Sequence, residues 1–136
     1  RQKLGQLVFS SPSALKDLNA ITHPLIKEYI KKELKRLKNE GFQGIVVLDA
    51  ALIFEAGWSD IVDEVWVVTA DSQIQIERLM KRNNFSREEA INRISSQMSQ
   101  KEKVAKADRV IDNSFSIDDT LKQVKALWQE LQNQKE

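Results

Sequence analysis

Residues 44–49 read Gly-Ile-Val-Val-Leu-Asp, and residues 51–55 follow as Ala-Leu-Ile-Phe-Glu. The apolar run at 45–48 shows no polar alternation, which is typical of a strand buried on both faces. Such strands form parallel α/β sheets, and the ligands of those sheets bind outside the carboxyl ends of the strands. Because the run ends at Asp49, the sequence predicts an α/β fold with a carboxylate at its ligand-binding edge.

The composition limits the kind of protein this can be. The chain has 136 residues, of which 41% are hydrophobic, and this suits one domain with a real core. Its 21 basic and 20 acidic residues give a net charge of +1, so the charge predicts neither a nucleic-acid nor a membrane partner. With no cysteine and one histidine, disulfides and Cys-based or multi-His metal sites are excluded. We expect a soluble cytoplasmic protein.

Apolar spacing predicts helices in the first third of the chain. Residues 1–9 begin in the middle of a helical pattern, and the first residue is an arginine, so we expect the later part of a longer protein. A short helix is predicted at 14–20. A longer helix is predicted to start at a Thr22 cap, to carry Pro24 in its first turn, and to stop at Gly41.

A second buried strand is predicted at 64–69 and a short strand at 109–111. Helical patterns fill the gap between them and the end of the chain, at 72–82, 86–98, 101–107 and from Ser116 onward. Ser86 and Glu89 have the spacing of a capping box. Strands separated by helices predict parallel pairing through right-handed crossovers.

Asp49 is the first candidate for chemistry. A carboxylate at the carboxyl end of a parallel strand can hold Mg²⁺, usually through water, beside a nucleotide. An aspartate at such a point can also cap the next turn. The position alone leaves both interpretations open.

Arginines on two predicted helices form a second candidate group. Arg78 and Arg82 are four residues apart and share one helix face, and Arg93 lies on the next helix. Guanidiniums that converge from two helices can clamp phosphate groups. Without further context, a solvated helix face is the more common explanation.

His23 and the pair Asp112-Asn113 carry weaker signals. A lone histidine can act as a general base, although a histidine before a proline at a helix start is more often structural. The Asp-Asn pair closes the last predicted strand. Such a loop can contact a base, but Asp-Asn is also a common turn.

An apolar loop that contains Phe54 and Trp58 carries two carboxylates, Glu55 and Asp60. One interpretation is a substrate pocket with aromatic walls. Ordinary loop packing is the favoured alternative. The chain contains no Gly-x-x-x-x-Gly-Lys-Ser/Thr segment, so no phosphate-cradling loop is present in it.

Six short segments carry a family resemblance from end to end. They are Leu-Val-Phe at 7–9, Leu-Asn-Ala-Ile-Thr-His-Pro at 18–24, Val-Leu-Asp-Ala-Ala-Leu-Ile-Phe-Glu at 47–55, Gln-Ile-Glu-Arg-Leu-Met-Lys-Arg at 75–82, Arg-Ile-Ser-Ser-Gln-Met at 93–98 and Ala-Asp-Arg-Val-Ile-Asp-Asn at 107–113. In this order they resemble the dephospho-CoA kinase family, the P-loop kinases that phosphorylate the ribose 3′-hydroxyl of dephospho-CoA to give coenzyme A in the last step of its biosynthesis.

The resemblance implies a P-loop kinase-type α/β fold, with a parallel sheet, flanking helices and a helical lid, that is incomplete at the N-terminus. The P-loop and the aspartate regarded as the family's catalytic base would precede Arg1, so the chain alone is expected to be inactive. Residues of about 10–43 would form a helical acceptor-side region, and about 72–107 the lid. Ala51 departs from the family's usual proline.

The resemblance also implies roles for the candidate residues. It implies ATP and Mg²⁺ as cofactors, with Asp49 near the metal through water. Arg78, Arg82 and Arg93 would belong to a lid over the nucleotide phosphates, with Arg82, Arg93 and Asp49 as the catalytic residues and Arg78 on the nucleotide side. The other implied residues are Asp112 and Asn113 near the adenine, and His23, Leu52, Phe54 and Glu55 on the side of the small-molecule substrate, dephospho-CoA.

Two alternatives stay open. The chain could be part of another truncated nucleotide or nucleoside kinase, with a different acceptor. It could instead be a non-catalytic binding module that never had a P-loop.

Overall fold

The computed structural model describes residues 2–133, which fall into two compact units that divide between Ile61 and Val62. The first unit contains α1 (Gln2–Ser10), α2 (Pro12–Asn39) and a 3₁₀ turn (Ser59–Ile61). The second contains β1 (Trp66–Thr69), α3 (Ser72–Asn83), α4 (Arg87–Ser95), α5 (Gln100–Lys106), β2 (Arg109–Asp112) and α6 (Ile117–Asn133). None of the helices in this part of the chain is long and apolar enough to cross a membrane.

Helix α2 is continuous over 28 residues, so the prediction of two helices with a cap at Thr22 is wrong. The cap is Ser11, whose side chain accepts a hydrogen bond from the Ala14 amide, and Pro12 occupies the first turn. The Thr22 hydroxyl instead donates to the Leu18 carbonyl oxygen at 2.8 Å. Pro24 removes one backbone hydrogen bond, but the helix continues on both sides of it.

The stop at Gly41 is confirmed by its geometry. Gly41 has a φ of +75°, in the left-handed region that glycine adopts without strain. The amides of Gly41 and Phe42 bond back to the carbonyl oxygens of Lys38 and Leu37 at 3.1 and 3.0 Å. These two bonds form a Schellman motif, which satisfies carbonyl groups at the end of α2.

The predicted strand at 45–48 is irregular chain, so that prediction is wrong. Val46 and Val47 are 47% and 78% exposed rather than buried. A strand persists only when a neighbouring strand takes up its backbone N–H and C=O groups. Within residues 2–133 the only ladder joins β1 to β2. The run at 45–48 therefore has the composition of a strand but pairs with no strand among these residues.

The parallel pairing of the other two predicted strands is confirmed. Trp66 pairs with Arg109, and the register continues to Thr69 opposite Asp112. Helices α3, α4 and α5 lie between the strands in sequence. The strand centres supply part of the core, since Val67 and Ile111 are 9% and 4% exposed. Both carboxyl ends therefore meet at one edge of the sheet.

Side chains cap the N-termini of three helices of the second unit, α3, α4 and α5. Asp71 caps α3 by accepting from the amides of Gln73 and Ile74. The predicted capping box of Ser86 and Glu89 is confirmed at α4, which ends at Ser95 rather than at 98. A second capping box, formed by Ser99 and Glu102, starts α5.

Candidate functional site

The carboxyl ends of β1 and β2 are joined by hydrogen bonds of the residues that follow them. The Asn113 amide donates to the Thr69 carbonyl oxygen at 2.8 Å, which extends the ladder by one bond. The Ser114 hydroxyl oxygen accepts from the Asp71 amide at 2.8 Å. The cap of α3 and the loop after β2 are thus fixed to each other at the edge where parallel sheets bind ligands.

Asp112, the last residue of β2, and Asn113, the first residue of this loop, are two of the predicted nucleotide-side residues. The Asp112 carboxylate accepts from the Ser114 amide at 2.8 Å. Hydrogen bonds from the Ser114 hydroxyl and then its amide lower the pKa of Asp112, so the group stays ionised. The Asn113 side-chain oxygen accepts from the Thr120 hydroxyl at 2.9 Å, which attaches the loop to α6.

Arg78, the third predicted nucleotide-side residue, reaches the same loop from α3. Its Nη1 donates to the Asn113 backbone carbonyl oxygen at 2.6 Å. The structure therefore brings together Arg78, Asp112 and Asn113, which the sequence could group only by resemblance.

The other two predicted lid arginines, Arg82 and Arg93, contact the connection between α3 and α4. Arg82 donates from Nε to the side-chain oxygen of Asn83 at 2.9 Å. The Arg93 guanidinium lies over the ring of Phe85, 5.9 Å from its centroid. Both cations are thus placed at one helix–helix turn, although on different helices.

In the first unit, the acceptor-side residues Leu52, Phe54 and Glu55 lie in a helical turn. The Ala56 amide bonds to the Leu52 carbonyl oxygen at 2.9 Å. Gly57 has a φ of +65°, and its amide and that of the next residue bond back to the carbonyl oxygens of Phe54 and Ile53. This is a second Schellman motif. Leu52 and Phe54 are half-buried, and Glu55 is exposed.

The segment after this turn is packed on α2, which favours loop packing for Trp58 and Asp60. Trp58 is 6% exposed, and its ring meets the ring of His23 edge-on with centroids 5.5 Å apart. Lys27 Nζ donates to the Gly57 carbonyl oxygen at 2.7 Å and lies 2.7 Å from Asp60 Oδ1. A second hydrogen bond, from Lys27 Nζ to Asp60 Oδ2 at 2.9 Å, lowers the pKa of Asp60.

Sequence reasoning missed Lys27. The available signal was its spacing, because Lys27 follows His23 by four residues and therefore shares its helix face. Lys27 bonds Gly57, which lies 30 residues further along the chain, and no local sequence pattern predicts that contact.

Asp49 is exposed and lies in irregular chain at 45–50, so it does not end a strand in the structure. The described residues contain no group of three or more His, Asp or Glu side chains that could hold a metal ion. A single exposed carboxylate does not form a metal site by itself. The residues present therefore do not make up a Mg²⁺ site on their own.

The parallel sheet with its flanking helices is an α/β fold, and the solved structures that share it are P-loop kinases. Within that class, the family model described as dephospho-CoA kinase matches residues 1–119. The chain belongs to the dephospho-CoA kinase family.

Curated relatives and solved structures agree with this assignment. The dephospho-CoA kinases of Carboxydothermus hydrogenoformans and Symbiobacterium thermophilum are 48% and 46% identical over 95% and 94% of this chain. The crystal structure of TT1252 from Thermus thermophilus superposes with a TM-score of 0.73 at 36% identity, over 96% of this chain and 66% of that one. The dephospho-CoA kinase from Campylobacter jejuni gives 0.61 at 31% identity, over 100% and 67%.

The chain spans 62% and 53% of the length of the Carboxydothermus and Symbiobacterium proteins.

Proposed function

We propose that this chain supplies the acceptor side and the lid of a dephospho-CoA kinase. The reaction transfers the γ-phosphoryl group of ATP to the ribose 3′-hydroxyl of dephospho-CoA, which gives coenzyme A. The observation that carries this proposal is the match of residues 1–119 to the dephospho-CoA kinase model. The cytoplasmic location and the absence of a nucleic-acid partner stay predictions.

Arg82 and Arg93 would stabilise the transferred phosphoryl group. Charge is spread over its oxygens in a loose transition state, and positioned cations neutralise that charge. A guanidinium suits this task because it is always charged and binds two oxygens at once. Arg82 now bonds Asn83 and Arg93 lies over Phe85, so both would leave these contacts to reach phosphate.

The loop of Asp112 and Asn113 would bind the nucleotide base. Its backbone is fixed from three sides, by β1, by Arg78 of α3 and by Gln123 of α6. The Asn113 side chain accepts from Thr120 through its oxygen, so its amide nitrogen is the atom suited to donate to a ring nitrogen of adenine. Arg78 would hold this loop rather than bind phosphate.

Leu52, Phe54 and Glu55 would contact dephospho-CoA. Two half-buried apolar side chains and one exposed carboxylate in a single turn suit a ligand with a long apolar and polar arm. His23 would contribute by packing on Trp58 and shaping this region, since its ring is half-buried against the indole.

Mg²⁺ would neutralise phosphate charge if bound with ATP. Asp49 would then bind one of its waters, as the resemblance implies. Because the described residues do not form a metal site, we assign no step of the transfer to the ion.

The test is a fusion enzyme, in which the N-terminal part of the Carboxydothermus relative that precedes the aligned region is joined to this chain. Coenzyme A formation from ATP and dephospho-CoA would be followed by mass spectrometry. We expect product from the fusion enzyme and none from the 136-residue chain alone, which lacks a phosphate loop. A folded fusion enzyme that forms no coenzyme A would overturn the proposal, and turnover by the chain alone would refute the need for that loop.

A further inference from the structure

Two side chains one helical turn apart hold the segment after the acceptor turn on α2. His23 packs against Trp58 with an interplanar angle of 68°. Lys27 Nζ bonds the Gly57 carbonyl oxygen at 2.7 Å and Asp60 Oδ2 at 2.9 Å. The Lys27 side chain is 26% exposed, so it is partly removed from water and its charge is compensated by a carboxylate. We name this contact of Lys27 with Gly57 and Asp60 the lysine clamp.

The lysine clamp acts on the residue that closes the acceptor turn. The Gly57 amide bonds the Phe54 carbonyl oxygen at 3.1 Å, and the Trp58 amide bonds the Ile53 carbonyl oxygen at 2.8 Å. A shift of Gly57 would therefore be transmitted to the backbone of Phe54 through its own amide, and to that of Ile53 through the amide of Trp58. Gly57 itself has a φ of +65°, so the closing geometry depends on this position.

We propose that Lys27 is a positioning residue for the acceptor, which sets the orientation of the turn at 52–56 and thereby the affinity for dephospho-CoA. The inference rests on the proposed function. Because the lysine donates to a backbone carbonyl and to a carboxylate of the loop, its effect on the acceptor would pass through the loop. A neutral side chain of similar length keeps the packing but cannot donate, whereas arginine can.

The first experiment measures the lysine clamp without activity. Hydrogen exchange at the amides of residues 56–58 is compared in the full chain and in Lys27→Met, Lys27→Arg and Lys35→Met. Lys35 is exposed on the same helix and serves as the matched control. We expect exchange about tenfold faster in Lys27→Met, since a charge-assisted hydrogen bond is lost, and little change in the other two. Unchanged exchange in Lys27→Met would overturn the inference.

The second experiment measures its consequence in the fusion enzyme. We expect Lys27→Met to raise KM for dephospho-CoA about five- to tenfold, with KM for ATP unchanged and Lys27→Arg close to the parent. If Lys27→Met instead lowers kcat/KM equally for both substrates, in proportion to a fall in melting temperature, its role is merely structural and the inference is overturned. If the parent fusion enzyme forms no coenzyme A, the proposed function fails, and with it the role toward the acceptor, whereas the exchange pattern alone decides whether the lysine clamp exists.

Discussion

The guanidinium of Arg78 donates from Nη1 to the backbone carbonyl oxygen of Asn113 at 2.6 Å. This bond joins α3, a helix of the predicted lid, to the loop that follows β2. Because α3 begins at the Asp71 cap, which Ser114 also contacts, the helix and the loop are fixed together at two points. A substitution of Arg78 should therefore weaken binding of the nucleotide base and leave binding of the acceptor unchanged.

Replacing Arg78 by alanine in the fusion enzyme should raise KM for ATP about tenfold, since a hydrogen bond from a charged group is lost. KM for dephospho-CoA should stay near the parent value. Steady-state kinetics with each substrate varied in turn measure both. Lys81→Ala, which changes an exposed cation on the same helix, is the control. Equal effects of the two variants would contradict the anchoring role.

Removing Arg82 or Arg93 should act on turnover. Arg→Ala at either position should lower kcat roughly 10- to 1000-fold, the range for losing a group that stabilises developing charge. The expectation follows from their shared position at the α3–α4 turn. Single-turnover kinetics separate the chemical step from product release. If both variants keep the kinetics of the parent enzyme, the two arginines are solvated surface residues without a role in turnover.

Asp49→Asn tests the proposed water-mediated contact with Mg²⁺. Asp49 is exposed, so the substitution should leave the fold intact, as circular dichroism would show. Turnover should fall in the fusion enzyme, and the Mg²⁺ concentration needed for half-maximal rate should rise. A normal rate with unchanged Mg²⁺ dependence would leave Asp49 only a role in the local turn.

Stability in acid should depend on the pair of Glu64 and Arg109. Arg109 Nε donates to Glu64 at 2.8 Å, and this hydrogen bond lowers the pKa of Glu64. A hydrogen bond from the Trp66 indole lowers that pKa further, by a smaller amount. A carboxyl with a lowered folded-state pKa stabilises the fold above its unfolded pKa of about 4.3, and this contribution is lost as pH falls through the folded value. Urea unfolding of the full chain between pH 3 and 7 should show the loss.

Glu64→Gln provides the control for that titration. It should lower the free energy of unfolding at pH 7 and flatten the part of the acid dependence that Glu64 causes. The amide keeps a similar shape but carries no charge to pair with Arg109. An acid profile identical to that of the parent would show that Glu64 does not carry this dependence.

Features set by short-range interactions were predictable from the sequence. The capping box of Ser86 and Glu89 and the stop at Gly41 need only neighbouring residues, and both are confirmed. The two strands at 66–69 and 109–112 were also found, because each is an apolar run bounded by turn residues and its partner is present.

Features that need a distant partner were not predictable in the same way. The run at 45–48 has strand composition, but a strand exists only with a neighbour to bond it, and none is present in the described residues. The contact of Arg78 with Asn113 joins residues 35 apart, and that of Lys27 with Asp60 joins residues 33 apart. Pro24 led to the prediction that a helix begins near Thr22. In the structure α2 runs through Pro24, because the rest of the helix offsets the backbone hydrogen bond that the proline removes.

The identity of the acceptor is tested most directly by comparing kcat/KM of the fusion enzyme for dephospho-CoA, AMP and adenosine at saturating ATP. Discrimination between substrates is a ratio of these constants, and a site shaped for the longer ligand should favour it by at least about 100-fold. We expect dephospho-CoA to be preferred by that margin and to be converted to coenzyme A. A folded fusion enzyme that prefers AMP or adenosine would contradict the dephospho-CoA assignment and favour another nucleotide or nucleoside kinase.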